Sequence, residues 1–169
     1  MPLSRDSVLK AVLNSYKNYF DIEYTTGHGS LVAKAKFHSR TEKFVLTKSV
    51  KMWGVETNDY VYIFSTPFLN SEEFINCKEK SIKDGLLQIQ PHSEHMCSYI
   101  TAVILTDEMD QTIIPDIKAC KFSKNFLLTF HGWAILRLLV VDINTSTVIS
   151  NRAGKELIHF LSSCLKEVS

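Results

Sequence analysis

Near the N-terminus, apolar residues recur at helical spacing. Val8, Leu9, Val12, Leu13, Tyr16 and Phe20 fall on one stripe, while Asn14, Lys17 and Asn18 fill the other side. The pattern predicts a helix within 4–20 whose start is capped by Ser4, because a hydroxyl there can accept from an otherwise unpaired amide of the first turn. Beyond it the period shortens to two. Leu31, Ala33, Ala35 and Phe37 alternate with Val32, Lys34, Lys36 and His38, which predicts a half-buried strand with a basic outer face. Further strands are expected at about 43–52 and 60–64, with Asn58-Asp59 as the turn between them, giving an antiparallel meander.

A second helix is expected from Asn70 onward. Asn70 suits the cap, Glu73 follows at the position of a capping box, and Leu69 can staple onto Phe74. Gly85 is placed to end it in a left-handed conformation. Strands then resume at about 97–106, 117–130, 135–143 and 147–150. Asn151 is expected to cap a last helix carrying Leu157, Ile158, Leu161, Cys164 and Leu165.

Two stretches echo one another. Phe44-Val45-Leu46-Thr47 precedes Phe126-Leu127-Leu128-Thr129 by 82 positions, the two tryptophans lie 80 apart, and the helix caps Asn70 and Asn151 lie 81 apart. This spacing suggests tandem β-β-β-α units at 22–86 and 97–166, neither large enough to bury its own apolar face well. The fold class expected is therefore α+β, one domain over 1–169. It comprises an antiparallel sheet of about six strands, helices mainly on one face, and the added N-terminal helix.

Composition narrows the class of protein. The chain has 169 residues, 45% of them hydrophobic and 22% charged, which excludes low-complexity and fibrous proteins. The apolar runs 134–136 and 138–141 are interrupted by Arg137 and Asp142, far short of the roughly 20 residues needed to span a bilayer. Cys77, Cys97, Cys120 and Cys164 are scattered and form no Cys-x-x-Cys pair. Without an export signal they read as reduced thiols, and the cytoplasm is the expected compartment.

Net charge is only +1, but it is unevenly distributed. Lys34, Lys36, Arg40, Lys43, Lys48 and Lys51 face a single acid, Glu42, in 34–51, making that stretch locally +5. Alternation places Lys34, Lys36, His38 and Arg40 on one strand face, a candidate polyanion-binding surface with Lys43 and Lys51 extending it. The same pattern also keeps a sheet soluble, and the near-neutral total disfavours a dedicated nucleic-acid binder.

Metal-ligating chemistry is concentrated in His92, Glu94, His95 and Cys97, which offer imidazole, carboxylate and thiol to a zinc-type ion. A second acidic group, Asp107, Glu108, Asp110 and Asp116, suits a hard divalent cation, and Asp116-Ile117-Lys118 has a carboxylate-x-Lys spacing. Neither matches an established metal signature. Gly27-His28-Gly29-Ser30 lacks a nucleophile elbow, and Gly154-Lys155 lacks the glycines of a phosphate loop.

From Lys121-Phe122 through Gly132-Trp133 and Val140-Val141-Asp142 to Asn151 and Gly154-Lys155-Glu156, the chain resembles small uncharacterised bacterial and archaeal single-domain proteins. The resemblance implies a free-standing domain and brings no activity or site with it.

With no coherent acid–base, nucleophile or phosphate motif, the sequence favours a non-catalytic binding or regulatory module. Its partner is expected to be a protein or a small ligand, and no catalytic residue or cofactor is predicted. Two alternatives stand beside it: a metal-dependent enzyme using 92–97 or the acids of 107–116, and polyanion or nucleic-acid binding through 34–51. A divalent metal and a homo-oligomer are both left open.

Overall fold

The computed structural model describes residues 3–45 and 50–169, the side chains of 39–45 and 50–56 excepted. It has α+β architecture around a seven-stranded mixed sheet. The elements run α1 (Arg5–Tyr16), β1 (Asp21–Tyr24), β2 (Leu31–Val45), β3 (Val50–Leu69), α2 (Ser71–Gln88), β4 (His95–Met109), α3 (Ile114–Ala119), β5 (Ser123–Asn125), β6 (Trp133–Asp142), β7 (Thr147–Ser150) and α4 (Ile158–Glu167). Strand order is β1-β2-β3-β4-β6-β5, with β7 also on β6.

β1, β2 and β3 pair antiparallel, although β1 is not among the expected strands and the expected three-strand meander over 31–64 is the single hairpin β2–β3. Antiparallel pairing fails in the centre. β3 pairs with β4, and β4 with β6, in parallel. The reason is the connections. A helix between two neighbouring strands carries the chain back to the end where it started, so α2 and α3 impose parallel pairing where short turns would have given antiparallel pairing.

Helices cover both faces, not mainly one. Tyr60, Tyr62, Phe64, Ile100, Ala102, Ile104, Leu136 and Leu138 pack with Phe74 and Cys77 of α2 and Ile117 of α3. On the reverse face Val61, Ile63, Val103, Leu105, Leu139 and Val141 pack with Val8, Val12 and Leu13 of α1 and Leu161 and Leu165 of α4. β4 is buried without interruption from Ile100 to Thr106, so apolar side chains emerge on both faces and each face needs a cover.

Local signals near helix starts are legible. Ser4 caps α1 in a reciprocal box with Ser7, and the Asn70 side chain accepts from the Glu73 amide at 2.9 Å. Several other expectations are corrected. Asn58-Asp59 lies within β3, not in a turn, and the strand expected at 43–52 is divided between the end of β2 and the start of β3. Gly85 sits inside α2, which continues to Gln88. The strand expected at 117–130 is instead α3, the three-residue β5 and a 3-10 turn at Leu127–Thr129.

The landmarks of the suggested duplication fall on unlike elements. Phe44 is in β2 whereas Phe126 leads into a turn, and α2 and α4 lie on opposite faces. The structure does not confirm a tandem repeat. Asn151 is not a helix cap, since α4 begins only at Ile158. Its amide fills the gap between β5 and β7 along β6, where Oδ1 accepts from the Leu138 amide at 3.0 Å and Nδ2 donates to the Leu136 carbonyl at 2.9 Å.

Candidate functional site

Alternation along β2 sends Ala33 and Ala35 into the core under α1 and α4, and Lys34, Lys36 and His38 to the opposite face. On that side α2 packs mainly over β3, β4 and β6 and reaches β2 at Leu31 and Lys34, leaving much of β1 and β2 beside it uncovered. The uncovered strip is a groove with the β2 side chains as floor and α2 as wall. A hollow of about 520 Å³ lies at one end, between the 25–30 loop and Glu73, Cys77 and Lys80 of α2. Another of about 530 Å³ lies at the other end, beside His38, Asn58 and Gln90. A smaller hollow of about 100 Å³, lined by Lys34, Lys36, Tyr60, Tyr62 and Asp84, shares Lys34 and Asp84 with the first and Lys36 and Tyr60 with the second.

The groove floor is not a one-sign surface. Lys34 Nζ donates to Asp84 Oδ2 at 2.9 Å and stands 5.9 Å from the centre of the Tyr62 ring. Lys36 Nζ stands 5.4 Å from the Tyr60 ring. β1 adds an acid opposite each lysine, Glu23 across from Lys34 and Asp21 across from Lys36. Burial, followed by the negative charge of Asp84, pushes the Tyr62 phenol upward, so it remains a proton donor at neutral pH. Cys77, between Ser30 and Glu73, is pushed up to about 12, chiefly by burial, and stays a thiol. The described residues of the groove therefore offer paired charges, phenols, aromatic faces and a protonated thiol.

Of the residues expected to bind a polyanion, Lys34 and Lys36 lie in this groove. The side chains of Arg40, Lys43 and Lys51 lie outside the described residues.

Of the proposed metal ligands, His92 and His95 stand edge to face with ring centres 6.3 Å apart, while Cys97 lies apart from them. Strict alternation would put His95 and Cys97, two residues apart, on one face, but the register shifts between their β3 partners and the two side chains part company. His95 is buried with both ring nitrogens engaged, Nδ1 with the His131 carbonyl at 2.5 Å and Nε2 with Ser98 Oγ at 2.8 Å. Cys97 lies by Tyr99 and Trp133. The His92 ring accepts from the Glu94 amide at 3.2 Å. Among the described residues no group of three or more His, Cys, Asp or Glu is arranged to hold a metal ion.

The acids of 107–116 are likewise dispersed. Asp107 pairs with Arg5 at 2.9 Å, Asp110 accepts from the Thr112 amide and hydroxyl, and Asp116-Ile117-Lys118 is helical where the metal-site reading required a strand.

Sequence reasoning passed over a buried polar row that crosses the three central strands. Arg137 of β6 lies flat on Tyr99 of β4, its guanidinium carbon 3.3 Å from the ring centre. One amino group reaches Asp59 of β3 at 3.5 Å, the other Glu156 at 2.5 Å, and its Nε makes no hydrogen bond. Asp59 also accepts from the Thr101 hydroxyl at 2.8 Å. Burial raises the Asp59 carboxyl to about 6, outweighing the opposing effects of Thr101 and Arg137. The signal was visible: Arg137 interrupts the apolar run of β6, and an arginine buried in a central strand requires a partner on the next one.

No curated protein and no solved structure matches this chain. A family described as a domain of unknown function, DUF8052, matches residues 4–163. The chain thus belongs to the DUF8052 family.

Proposed function

We propose that this protein is a non-catalytic binding module whose ligand is a small zwitterion of amino-acid type, held in the groove between β2 and α2. One observation carries the reading: along the groove floor each ammonium has an acid opposite it and an aromatic ring beneath it, Lys34 with Glu23, Asp84 and Tyr62, and Lys36 with Asp21 and Tyr60. A ligand with both charges satisfies such a floor, its ammonium taking a place on Asp84 and its carboxylate on Lys34 or Lys36. Part-exposed ion pairs of this kind contribute less than about 1 kcal/mol, so the exchange costs little. The hollows at either end are of a size that suits small ligands.

This reading is preferred to polyanion binding because Lys34 and Lys36 already face acids, which weakens their joint field. It is preferred to a metal-dependent enzyme because both nitrogens of His95 are committed. The test is a thermal-shift panel of amino acids, dipeptides, simple amines, simple carboxylates and heparin. Stabilisation by members carrying both charges, lost in Lys34→Ala and Asp84→Ala, supports the proposal. Stabilisation by heparin alone, or by none of the panel, contradicts it.

A further inference from the structure

At the opposite edge of the sheet, after β5, the chain makes a turn whose apolar side chains face water. Leu127, Leu128 and Phe130 are 64%, 86% and 76% exposed. The backbone holds them there by an unusual conformation, with Leu127, Leu128 and Thr129 all at positive φ (47°, 51° and 78°). Each such residue costs roughly 1–2 kcal/mol, so a free chain would abandon this arrangement unless its base were fixed. The base is fixed. The Phe126 amide donates to the Gly132 carbonyl at 2.9 Å, the His131 amide to the Phe126 carbonyl at 3.2 Å, and His95 bonds the His131 carbonyl. Gly132, at φ 79°, lies so close that a Cβ there would sit 2.4 Å from the Met96 carbonyl oxygen.

The chain leading into this apolar tip is basic. From Lys118 to Gly132 it carries Lys118, Lys121 and Lys124 and no Asp or Glu. Lys121 and Lys124 are exposed on the approach to the turn, and Lys124 Nζ stands 5.8 Å from the Phe126 ring. Two acids stand nearby, the half-buried Glu94 in the turn before β4 and Asp116, which lines a hollow with Lys121. Three apolar side chains on one turn are far fewer than the roughly 20–30 residues a side of a stable protein interface. A bilayer asks for no shape complementarity, and a shallow apolar wedge flanked by lysines is what its anionic surface accepts.

We propose that the 127–130 turn is a membrane-surface contact, in which Leu127, Leu128 and Phe130 enter the interfacial layer of an anionic bilayer while Lys121 and Lys124 meet lipid phosphates. The contact spans nothing; among the described residues no helix is long and apolar enough to cross a membrane. Because β5 and β1 are at opposite ends of the strand order, a protein docked this way keeps the β2–α2 groove open to water.

Co-sedimentation with phosphatidylcholine vesicles, with and without phosphatidylglycerol, tests the contact. The full chain should bind the phosphatidylglycerol vesicles, less so as salt rises. Leu128→Asp/Phe130→Asp should weaken binding about tenfold or more, the loss of two inserted side chains. Lys121→Glu/Lys124→Glu should abolish the preference for phosphatidylglycerol with the tip intact. Leu128→Gln alone gives the same readout should the double tip variant melt early. Failure to bind phosphatidylglycerol vesicles at low salt, binding unchanged in the tip variants, or a tip-dependent dimer without vesicle binding would overturn the proposal.

Discussion

Gly85 of α2 rests directly on Ile100 of β4: a Cβ at Gly85 would lie 2.8 Å from both Cδ1 and Cγ1 of the isoleucine. This contact sets how closely α2 approaches the sheet, and so where the helical wall of the groove stands over β2. Ile100 is fully buried, so the added methyl must displace packed atoms. Gly85→Ala gains about 1 kcal/mol of helix propensity but forces overpacking that costs about 1–3 kcal/mol. Net destabilisation of about 1 kcal/mol is expected in urea titrations. Adding Ile100→Val, which removes Cδ1, should recover part of it, and the double-mutant cycle measures the coupling.

Asn151 makes a second prediction. Its side chain serves the amides of Leu138 and Gly154 and the carbonyls of Leu136 and Cys120. Asn151→Ala strands those groups where little water reaches them, and a loss of about 2–4 kcal/mol is expected in chemical denaturation. Asn151→Asp keeps an acceptor, loses both donors and sets a negative charge against two carbonyls, so it should be no better than alanine. A loss under about 0.5 kcal/mol in Asn151→Ala would show that water replaces the amide.

The Asp59–Arg137 pair gives a pH signature. The folded carboxyl, at about 6, is above its ordinary value of 3.8, so the native state holds its proton more tightly than the unfolded chain. The group's contribution is therefore most favourable below pH 4, declines as pH rises from about 4 to about 6, and is flat above. Compared with Asp59→Asn, the parent protein should lose stability on the order of 2 kcal/mol between pH 4 and pH 7. Urea titrations of both proteins across that range check it. A difference independent of pH, or one that grows in the parent's favour, would mean that Arg137 and Thr101 outweigh burial.

What the sequence disclosed and what it hid have a common cause. Contacts within a few residues were legible: the Ser4 and Asn70 caps, the alternation that separates Lys34 and Lys36 from Ala33 and Ala35, and the apolar stripe of α1. Features decided by distant partners were not. Gly85 has a residue type that ends helices, yet here it answers to Ile100 on another element. The 117–130 stretch has strand-like composition, but Pro115 stands in the first turn of α3, whose Ile117 is buried against the sheet, and left-handed residues break the rest. The basic face of β2 could be read, but the acids that neutralise it come from β1, a four-residue strand with no detectable period of its own, and from Asp84 of α2. The candidate site was thus half visible, as lysines without their counter-charges.

Whether the β2–α2 groove reads both charges of one small molecule is decided by calorimetric titration of the strongest panel ligand into the parent protein and into the charge-swapped Lys34→Asp/Asp84→Lys variant. The swap keeps an ion pair between the two positions while reversing its direction. We predict that the swapped protein melts within a few degrees of the parent and loses about tenfold or more in affinity, since the ligand's two ends then meet like charges. Equal affinity in the two proteins would contradict that reading.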